Sequence, residues 1–162
     1  MNRATTKTML KEFLHPGLID PELKATSKSE VLEELSNIIA NNYKELESAS
    51  IAAALSERER VDSTAIEEGI AIPHTKMSQI KELIIAVGRS SKGLNFDAHD
   101  KKPTHLFFVI IAPEGGSGEH IKVLARIAKI LATKGLKEKL LDAKNAEQIY
   151  KILIEADGKL VG

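Results

Sequence analysis

The chain has 162 residues, of which 43% are hydrophobic and 28% are charged, and 23 basic side chains balance 23 acidic ones. This length and composition are typical of one soluble globular domain, so we expect residues 1–162 to form a single domain. A formal net charge of zero argues against nucleic-acid and anionic-membrane partners, which favour a basic excess. The absence of cysteine excludes disulfides, thiolate metal sites and a cysteine nucleophile.

Two helices are predicted in the first third of the chain. Ser27 followed by Glu30 fits a capping box, and apolar residues recur at helical spacing behind it. This apolar face consists of Val31, Leu32, Leu35, Ile38, Ile39 and Leu46. A second helix is predicted from Ser48 to residue 57 or 58. The stretch Val61–His74 contains β-branched residues, a glycine and a proline, and is interpreted as loop and extended chain.

The second half of the chain predicts two strands and three helices. Leu83–Arg89 and His105–Ala112 are nearly continuous in apolar residues, as expected of strands covered on both faces. The helix that follows is predicted to bury one face, formed by Ile121, Leu124, Ile127, Ala128 and Leu131. Gly135 is expected to end it, and shorter helices are predicted for Leu136–Leu141 and Ala146–Glu155. This alternation indicates an α/β domain with a mixed central β-sheet and helices on both faces.

Location and common active-site patterns can also be read from the sequence. The longest apolar runs are too short to span a membrane, and the N-terminus lacks a signal-peptide core, so a cytoplasmic protein without membrane insertion is expected. The loop Gly115–Gly118 lacks the Lys and Ser/Thr that end a Walker motif and is interpreted as a turn, and no Gly-x-Ser-x-Gly elbow is present. The histidines show no metal-ligand spacing, so we predict neither a metal nor a cofactor.

His74 is the candidate reactive residue. It directly follows Pro73, and proline fixes its own φ and holds the preceding Ile72 in an extended conformation. A neutral imidazole on so stiff a backbone is suited to catalysis, because imidazole is a nucleophile and a proton carrier near pH 7. A histidine in an α/β domain is also commonly structural, and the local pattern alone leaves both interpretations open.

The residues around His74 resemble the active-site segment of the IIA components of the bacterial phosphotransferase system, of the fructose/mannitol and nitrogen-regulatory type. That family has an aliphatic-Ala-aliphatic-Pro-His run, matched by Ile70–His74, and a Ser-Thr pair about ten residues upstream, matched by Ser63 and Thr64. An arginine before that pair matches Arg58. A second histidine, which opens a later helix, matches His120. The resemblance extends over nearly the whole chain.

The resemblance implies a phosphocarrier. In this family the histidine matching His74 accepts a phosphoryl group from the carrier protein HPr, or from its nitrogen-branch relative, and passes it to a IIB component for sugar uptake. It further implies that His120 orients the ring or the phosphoryl group and that Arg58 stabilises the phosphate. Ser63 and Thr64 would bind through a hydroxyl or shape the loop. The residues by themselves also allow Arg58 to be a solvated helix end and His120 a helix-capping residue.

Two other functions remain open on the sequence. One is a regulatory protein whose binding to a target protein is switched by phosphorylation of His74. The other is a binding domain without phosphorylation, suggested by Asp62, Glu67 and Thr75, which depart from the family's pattern. Glu67 and Glu68 bear on this choice, because carboxylates turned toward His74 would disfavour an anionic phosphoryl group. Turned outward, they would face a basic carrier surface.

Overall fold

The structure is a computed structural model that describes residues 9–116 and 118–160. Residues 1–8 lie outside the described part, and with them most of the stretch for which no signal peptide is predicted. Residue 117 of the glycine-rich loop and residues 161–162 lie outside it as well. The helices and strands, in chain order, are β1 Ile19–Asp20, α1 Lys28–Asn42, α2 Ser48–Val61, β2 Ile70–Ala71, β3 His74–Met77, β4 Ile84–Leu94, β5 Thr104–Pro113, α3 Glu119–Leu131, α4 Leu136–Asp142 and α5 Ala146–Gly158.

A mixed five-stranded sheet forms the centre of the fold. β4 and β5 pair antiparallel, and β1 lies parallel to β4 on its other side. Residues 84–90 of β4 are all buried, because the sheet is covered on both faces. The α1–α2 pair contacts β4 and β3, while α3 contacts β5 and α5 contacts β1. The predicted α/β fold with a mixed central sheet is confirmed.

β2 and β3 lie one after the other along the free side of β5, both parallel to it. β2 pairs Ile70 with Leu106, and β3 pairs His74 with Ile110, so the two strands continue in one register. Pro73 lies at the break between them, where it has no N–H to donate to a sheet ladder. This arrangement places His74 four residues further along the sheet edge than Ile70.

The predicted start of α1 is present with one difference. Ser27 Oγ accepts a hydrogen bond from the Glu30 N–H at 3.3 Å, as a helix-capping serine does. The Glu30 carboxylate does not return to Ser27 but accepts from the N–H and the hydroxyl of Thr26, at 3.0 and 3.1 Å. These hydrogen bonds hold the pKa of the Glu30 carboxyl below its usual value.

Two element ends differ from the sequence prediction. α2 continues to Val61 rather than ending at residue 57 or 58, because the Arg58 guanidinium donates to the Asp62 carbonyl at 3.0 Å and closes the last turn. β4 continues past Arg89 to Leu94, which pairs with Thr104 beyond an irregularity in the register. The last turn of α2 is thus closed by a side chain of the same helix, and the end of β4 by pairing with β5.

The predicted apolar face of α3 is partly wrong. Ile121 and Ala128 are exposed, and the fully buried residues are Val123, Ile127 and Ile130. Of the five predicted residues, Ile127 is buried and Leu124 and Leu131 are half-buried against the core, so the buried stripe is rotated about the helix axis from the predicted one. Docking against β5 and α5 sets this rotation, which helical spacing alone does not determine.

Gly135 does not end α3 as expected. α3 ends at Leu131, and Gly135 is the residue that precedes α4, with a φ of 83°. This left-handed conformation suits glycine because it has no Cβ. Within the described residues, no helix is both long enough and apolar enough to cross a lipid bilayer.

Candidate active site

A cleft of about 430 Å³ opens beside the start of β3. Its walls come from α2, β3, β5 and the first turns of α3, and they consist of Arg58, His74, Thr75, Lys76, Ile110, Ala112, His120 and Leu124. Arg58, His74 and His120, three residues that are far apart in the sequence, therefore meet at one cleft. The end of α2 supplies the first, the sheet edge the second and the start of α3 the third.

The backbone fixes the orientation of His74. Its Nδ1 lies 2.8 Å from the carbonyl oxygen of Ile72, and the Ile110 N–H donates to the carbonyl of Pro73 at 2.9 Å. A carbonyl oxygen can only accept a hydrogen bond, so the proton of the neutral ring is on Nδ1. Nε2 is then left with its lone pair. The half-buried ring thus has one nitrogen bound to the backbone and one available as a nucleophile.

Lys76 is the site residue that the sequence analysis missed. It lies two residues after His74 on β3, so both side chains are on the same face of the strand. The extended segment was predicted to end at His74, and the four residues of β3 are too few to show strand alternation. Lys76 and Arg58 are the cations among the described residues that line the cleft, and none of these residues carries a carboxylate. This charge distribution suits an anionic ligand.

His120 is in the first turn of α3, which begins at Glu119. Burial lowers its pKa, and the positive charge of Lys76 lowers it further, as does His74 whenever that ring is protonated. Its ring is therefore neutral at pH 7 and can both donate and accept a hydrogen bond. The first turn of a helix also has unpaired N–H groups and a partial positive charge, which favour an anion nearby.

Ser63 and Thr64 do not line the cleft. The Ser63 hydroxyl donates to the carbonyl of Phe96 at 2.7 Å and accepts from the Ala65 N–H at 3.1 Å. Thr64 is buried, and both its hydroxyl and its N–H donate to the carboxylate of Glu59. Both hydroxyls are thus engaged with protein groups beneath the site, and their predicted role in binding stays a prediction.

The two glutamates that precede Gly69 are away from the cleft. Glu67 is exposed and is not among the residues that line it. The Glu68 carboxylate lies 3.4 Å from the ammonium of Lys102 and 4.0 Å from that of Lys137, near the start of β5. Since His74 pairs further along β5, the charge of Glu68 is at the other end of this sheet edge.

The remaining histidines take no part in the cleft. Nδ1 of His105 lies 2.9 Å from the carbonyl of Ser90, and His99 lies 3.6 Å from the Asp62 carboxylate at the surface. In the part of the chain that the structure describes, no three histidine or carboxylate side chains are grouped so that they could hold a metal ion.

The fold and the cleft together define an α/β domain with one oriented histidine in a cationic cleft whose described lining residues include no carboxylate. Residues 12–156 match the model of the family described as phosphoenolpyruvate-dependent sugar phosphotransferase system, EIIA 2. The chain belongs to this family, as the sequence resemblance predicted.

Relatives of known type cover most of this chain. The nitrogen regulatory protein of Pseudomonas aeruginosa is 34% identical over 146 residues, which are 90% of this chain and 95% of that protein. The fructose-specific EIIABC component of Bacillus subtilis is 31% identical over 148 residues, which are 91% of this chain but 23% of that longer protein. The chain is therefore similar over most of its length both to nitrogen regulatory proteins and to one part of a fructose-specific EIIABC component.

Solved structures agree with this family. The nitrogen regulatory protein IIA-Ntr of Neisseria meningitidis superimposes with a TM-score of 0.82 at 31% identity, covering 89% of this chain and 98% of that one. A second match is a complex of enzyme IIAMtl and phosphorylated enzyme IIBMtl from Escherichia coli. It has a TM-score of 0.73 at 19% identity and covers 88% of this chain and 97% of the matched one. At that identity the second match is similar in fold alone.

Proposed function

We propose that this chain is a single-domain IIA phosphocarrier that accepts a phosphoryl group on Nε2 of His74. The donor is phosphorylated HPr or its nitrogen-branch relative. The observation that carries the proposal is the 2.8 Å contact between His74 Nδ1 and the Ile72 carbonyl, which leaves Nε2 as the nucleophile. The cationic cleft beside it suits a phosphoryl group.

The transfer exchanges one phosphorus–nitrogen bond for another. The lone pair on Nε2 of His74 forms the new bond while the bond to the donor's ring-protonated phosphohistidine breaks, and the donor leaves as neutral imidazole. The His74 ring keeps its Nδ1 proton on the Ile72 carbonyl and becomes a protonated phosphohistidine. Such a loose transition state needs positioning and charge stabilisation rather than further covalent chemistry. Arg58 and Lys76 supply the charge, and the neutral His120 supplies a hydrogen bond to the ring or the phosphoryl oxygens.

The acceptor is a IIB component of a sugar permease, to which His74 passes the phosphoryl group for sugar uptake. The Escherichia coli structure with the same fold, whose description names a complex with phosphorylated IIB, supports this class of partner. Both donor and acceptor imply a cytoplasmic location. Neither Ser63 nor Thr64 is needed for direct contact with phosphate in this scheme.

A second candidate is a regulatory protein whose binding to a target protein depends on the phosphorylation of His74. Relatives described as nitrogen regulatory proteins favour it, since one of them is 34% identical to this chain over 146 residues. Phosphoryl transfer to an added IIB domain supports the first function. Target binding that changes with phosphorylation, without transfer to IIB, supports the second.

Intact-mass spectrometry at alkaline pH, which preserves phosphohistidine, tests the first step. The chain is incubated with phosphoenolpyruvate, enzyme I and either HPr or its nitrogen-branch relative, beside a His74→Ala control. We expect a gain of one phosphoryl group in the wild-type chain and none in the control. A wild-type chain that gains no mass with either carrier contradicts the proposal and leaves a binding domain without phosphorylation.

A further inference from the structure

Glu59 is a buried carboxylate outside the cleft. It is in the last turns of α2, and its side chain is 4% exposed. Three donors meet this carboxylate: the N–H of Thr64 at 3.1 Å, the hydroxyl of Thr64, and the ammonium of Lys28 at 3.0 Å. Two of the three come from Thr64, so the carboxylate fixes both the backbone and the side chain of that residue.

Thr64 is connected to His74 by two further hydrogen bonds. The Thr64 carbonyl accepts from the N–H of Ile72 at 3.0 Å, within a short antiparallel contact in which Ala65 is opposite Ala71. The Ile72 carbonyl then accepts from Nδ1 of His74 at 2.8 Å. A continuous path of hydrogen bonds therefore runs from the carboxylate of Glu59 to the imidazole.

Lys28 compensates the buried negative charge. Its ammonium lies 3.0 Å from the Glu59 carboxylate and 3.2 Å from that of Asp97, and 4.7 Å from the ring centre of Phe96. A buried carboxylate is costly without such partners, so the ammonium of Lys28 offsets the cost of burying Glu59 beneath the site. The start of α1, the end of α2 and the loop before β2 are held together at this point.

We propose that Glu59 is a positioning residue for His74. By holding Thr64, it fixes the segment that carries the Ile72 carbonyl, and this carbonyl holds the ring as the Nδ1–H tautomer with Nε2 free. The inference deepens the proposed function and rests on it for its effect on phosphoryl transfer. Its effect on the ring tautomer is independent of any transfer.

We call the path from Glu59 through Thr64 and Ile72 to His74 the relay. It gives the Ser-Thr pair a structural role. The Ser63 hydroxyl holds the same loop from the other side through the carbonyl of Phe96 at 2.7 Å. The hydroxyl of Thr64 acts on Glu59 rather than on the cleft. Position 64 therefore requires a side-chain hydroxyl that can donate to Glu59, which serine also provides and valine does not.

The test compares four variants with the wild-type chain. Glu59→Gln keeps the volume but removes the charge, Thr64→Val removes the hydroxyl, and Thr64→Ser keeps it. Asp157→Asn is the matched control, because Asp157 is also a buried carboxylate bound to a cation and a backbone N–H, but its partners among the described residues, Arg126 and Leu10, do not contact the segment around His74. Ring ¹⁵N NMR shifts report the tautomer of His74, and intact-mass spectrometry reports the rate of phosphoryl uptake per folded molecule.

We expect Glu59→Gln and Thr64→Val to shift His74 toward the Nε2–H tautomer and to slow phosphoryl uptake about tenfold or more, because small errors of position are costly in transfer steps. Thr64→Ser and Asp157→Asn keep the wild-type shifts and rate. The proposal is overturned by wild-type ring shifts in both Glu59→Gln and Thr64→Val, or by an equal change in Asp157→Asn. If the wild-type chain takes up no phosphoryl group, the proposed function fails, and the ring shifts still decide the relay.

Discussion

Two buried carboxylates, Glu59 and Asp157, have nearly the same surroundings but different consequences. Each binds one cation and one backbone N–H: Glu59 binds Lys28 and the N–H of Thr64, while Asp157 binds Arg126 and the N–H of Leu10. The two carboxylates differ in the part of the chain whose backbone N–H they bind. Thr64 is one hydrogen bond away from the segment that holds the reactive histidine, whereas the other N–H belongs to the first described turn of the chain.

Asp157 therefore stabilises the tertiary structure of the domain rather than orienting a residue of the candidate site. Its carboxylate accepts from the N–H of Leu10, 147 positions away in the sequence, and so joins α5 to the start of the described chain. Arg126 on α3 donates to the Asp157 carboxylate at 2.5 Å and to the Asp157 backbone carbonyl at 2.8 Å. The same chemistry thus stabilises the domain at one place and orients a side chain at another. Stability and phosphoryl uptake, measured on the same variants, separate the two roles.

Arg126→Met should have the largest effect on stability. It leaves the buried Asp157 carboxylate without its cation, and breaking a buried pair in this way costs about 3–5 kcal/mol. We expect denaturant unfolding to show this loss, while the folded fraction takes up phosphoryl groups at the wild-type rate. Lys129→Met, an exposed position on the same helix, is the control. A loss below about 1 kcal/mol contradicts the assigned role of the pair.

Lys28→Met should lower both stability and phosphoryl uptake, stability by less than Arg126→Met and uptake by less than Glu59→Gln. Thr64 still donates twice to Glu59, so the carboxylate keeps part of its compensation, and we expect a loss of about 1–3 kcal/mol. Phosphoryl uptake should slow by less than in Glu59→Gln. Lys24→Met changes an exposed lysine nearby and should alter neither unfolding nor uptake. Uptake slower than in Glu59→Gln would place Lys28 itself in the relay.

Lys76→Met should raise the pKa of His120, which burial, Lys76 and His74 together hold below the usual value. Because the folded state disfavours the protonated ring, the contribution of His120 to stability is complete above its ordinary pKa of about 6.5 and is lost as the pH falls toward the folded value. An NMR titration of the His120 ring measures the midpoint. Lys122→Met changes a lysine two residues from His120 on α3 and should leave the midpoint of the His120 titration unchanged. An unchanged midpoint in Lys76→Met would show that Lys76 does not act on His120.

Thr104→Val should have the smallest effect on stability, and it should raise the free energy of unfolding rather than lower it. Thr104 is fully buried, and its Oγ1 has no hydrogen-bond partner among the described residues, unlike the two satisfied carboxylates. Replacing this hydroxyl with a methyl group should raise the free energy of unfolding by up to about 1 kcal/mol. A loss of stability, measured in the same denaturant series, would indicate that the hydroxyl has a partner.

The sequence was sufficient for the fold class and for the three residues that meet at the cleft. Continuous apolar runs identified β4 and β5, and the family pattern linked Arg58, His74 and His120. Their convergence depends on a sheet register and a helix position, which have no signal in the linear chain. Lys76 was missed because β3 begins at His74 itself, and four residues show too little alternation to predict a strand.

The position of the side chains in the loop before β2 could not be predicted. A Ser-Thr pair near a reactive histidine is compatible with phosphate binding and with loop support, and only the location of Glu59 and Phe96 distinguishes them. The exposure of Ile121 has the same cause, because the rotation of α3 depends on its docking against the sheet and α5. In both cases long-range packing decides between local alternatives of similar energy.

The most direct test of the account is the position of the phosphoryl group on the phosphorylated chain. After transfer from the carrier at alkaline pH, ³¹P and ring ¹⁵N NMR distinguish the two imidazole nitrogens of His74. The hydrogen bond from Nδ1 to the Ile72 carbonyl predicts phosphorylation at Nε2. A phosphoryl group on Nδ1, or on a residue other than His74, would contradict the account.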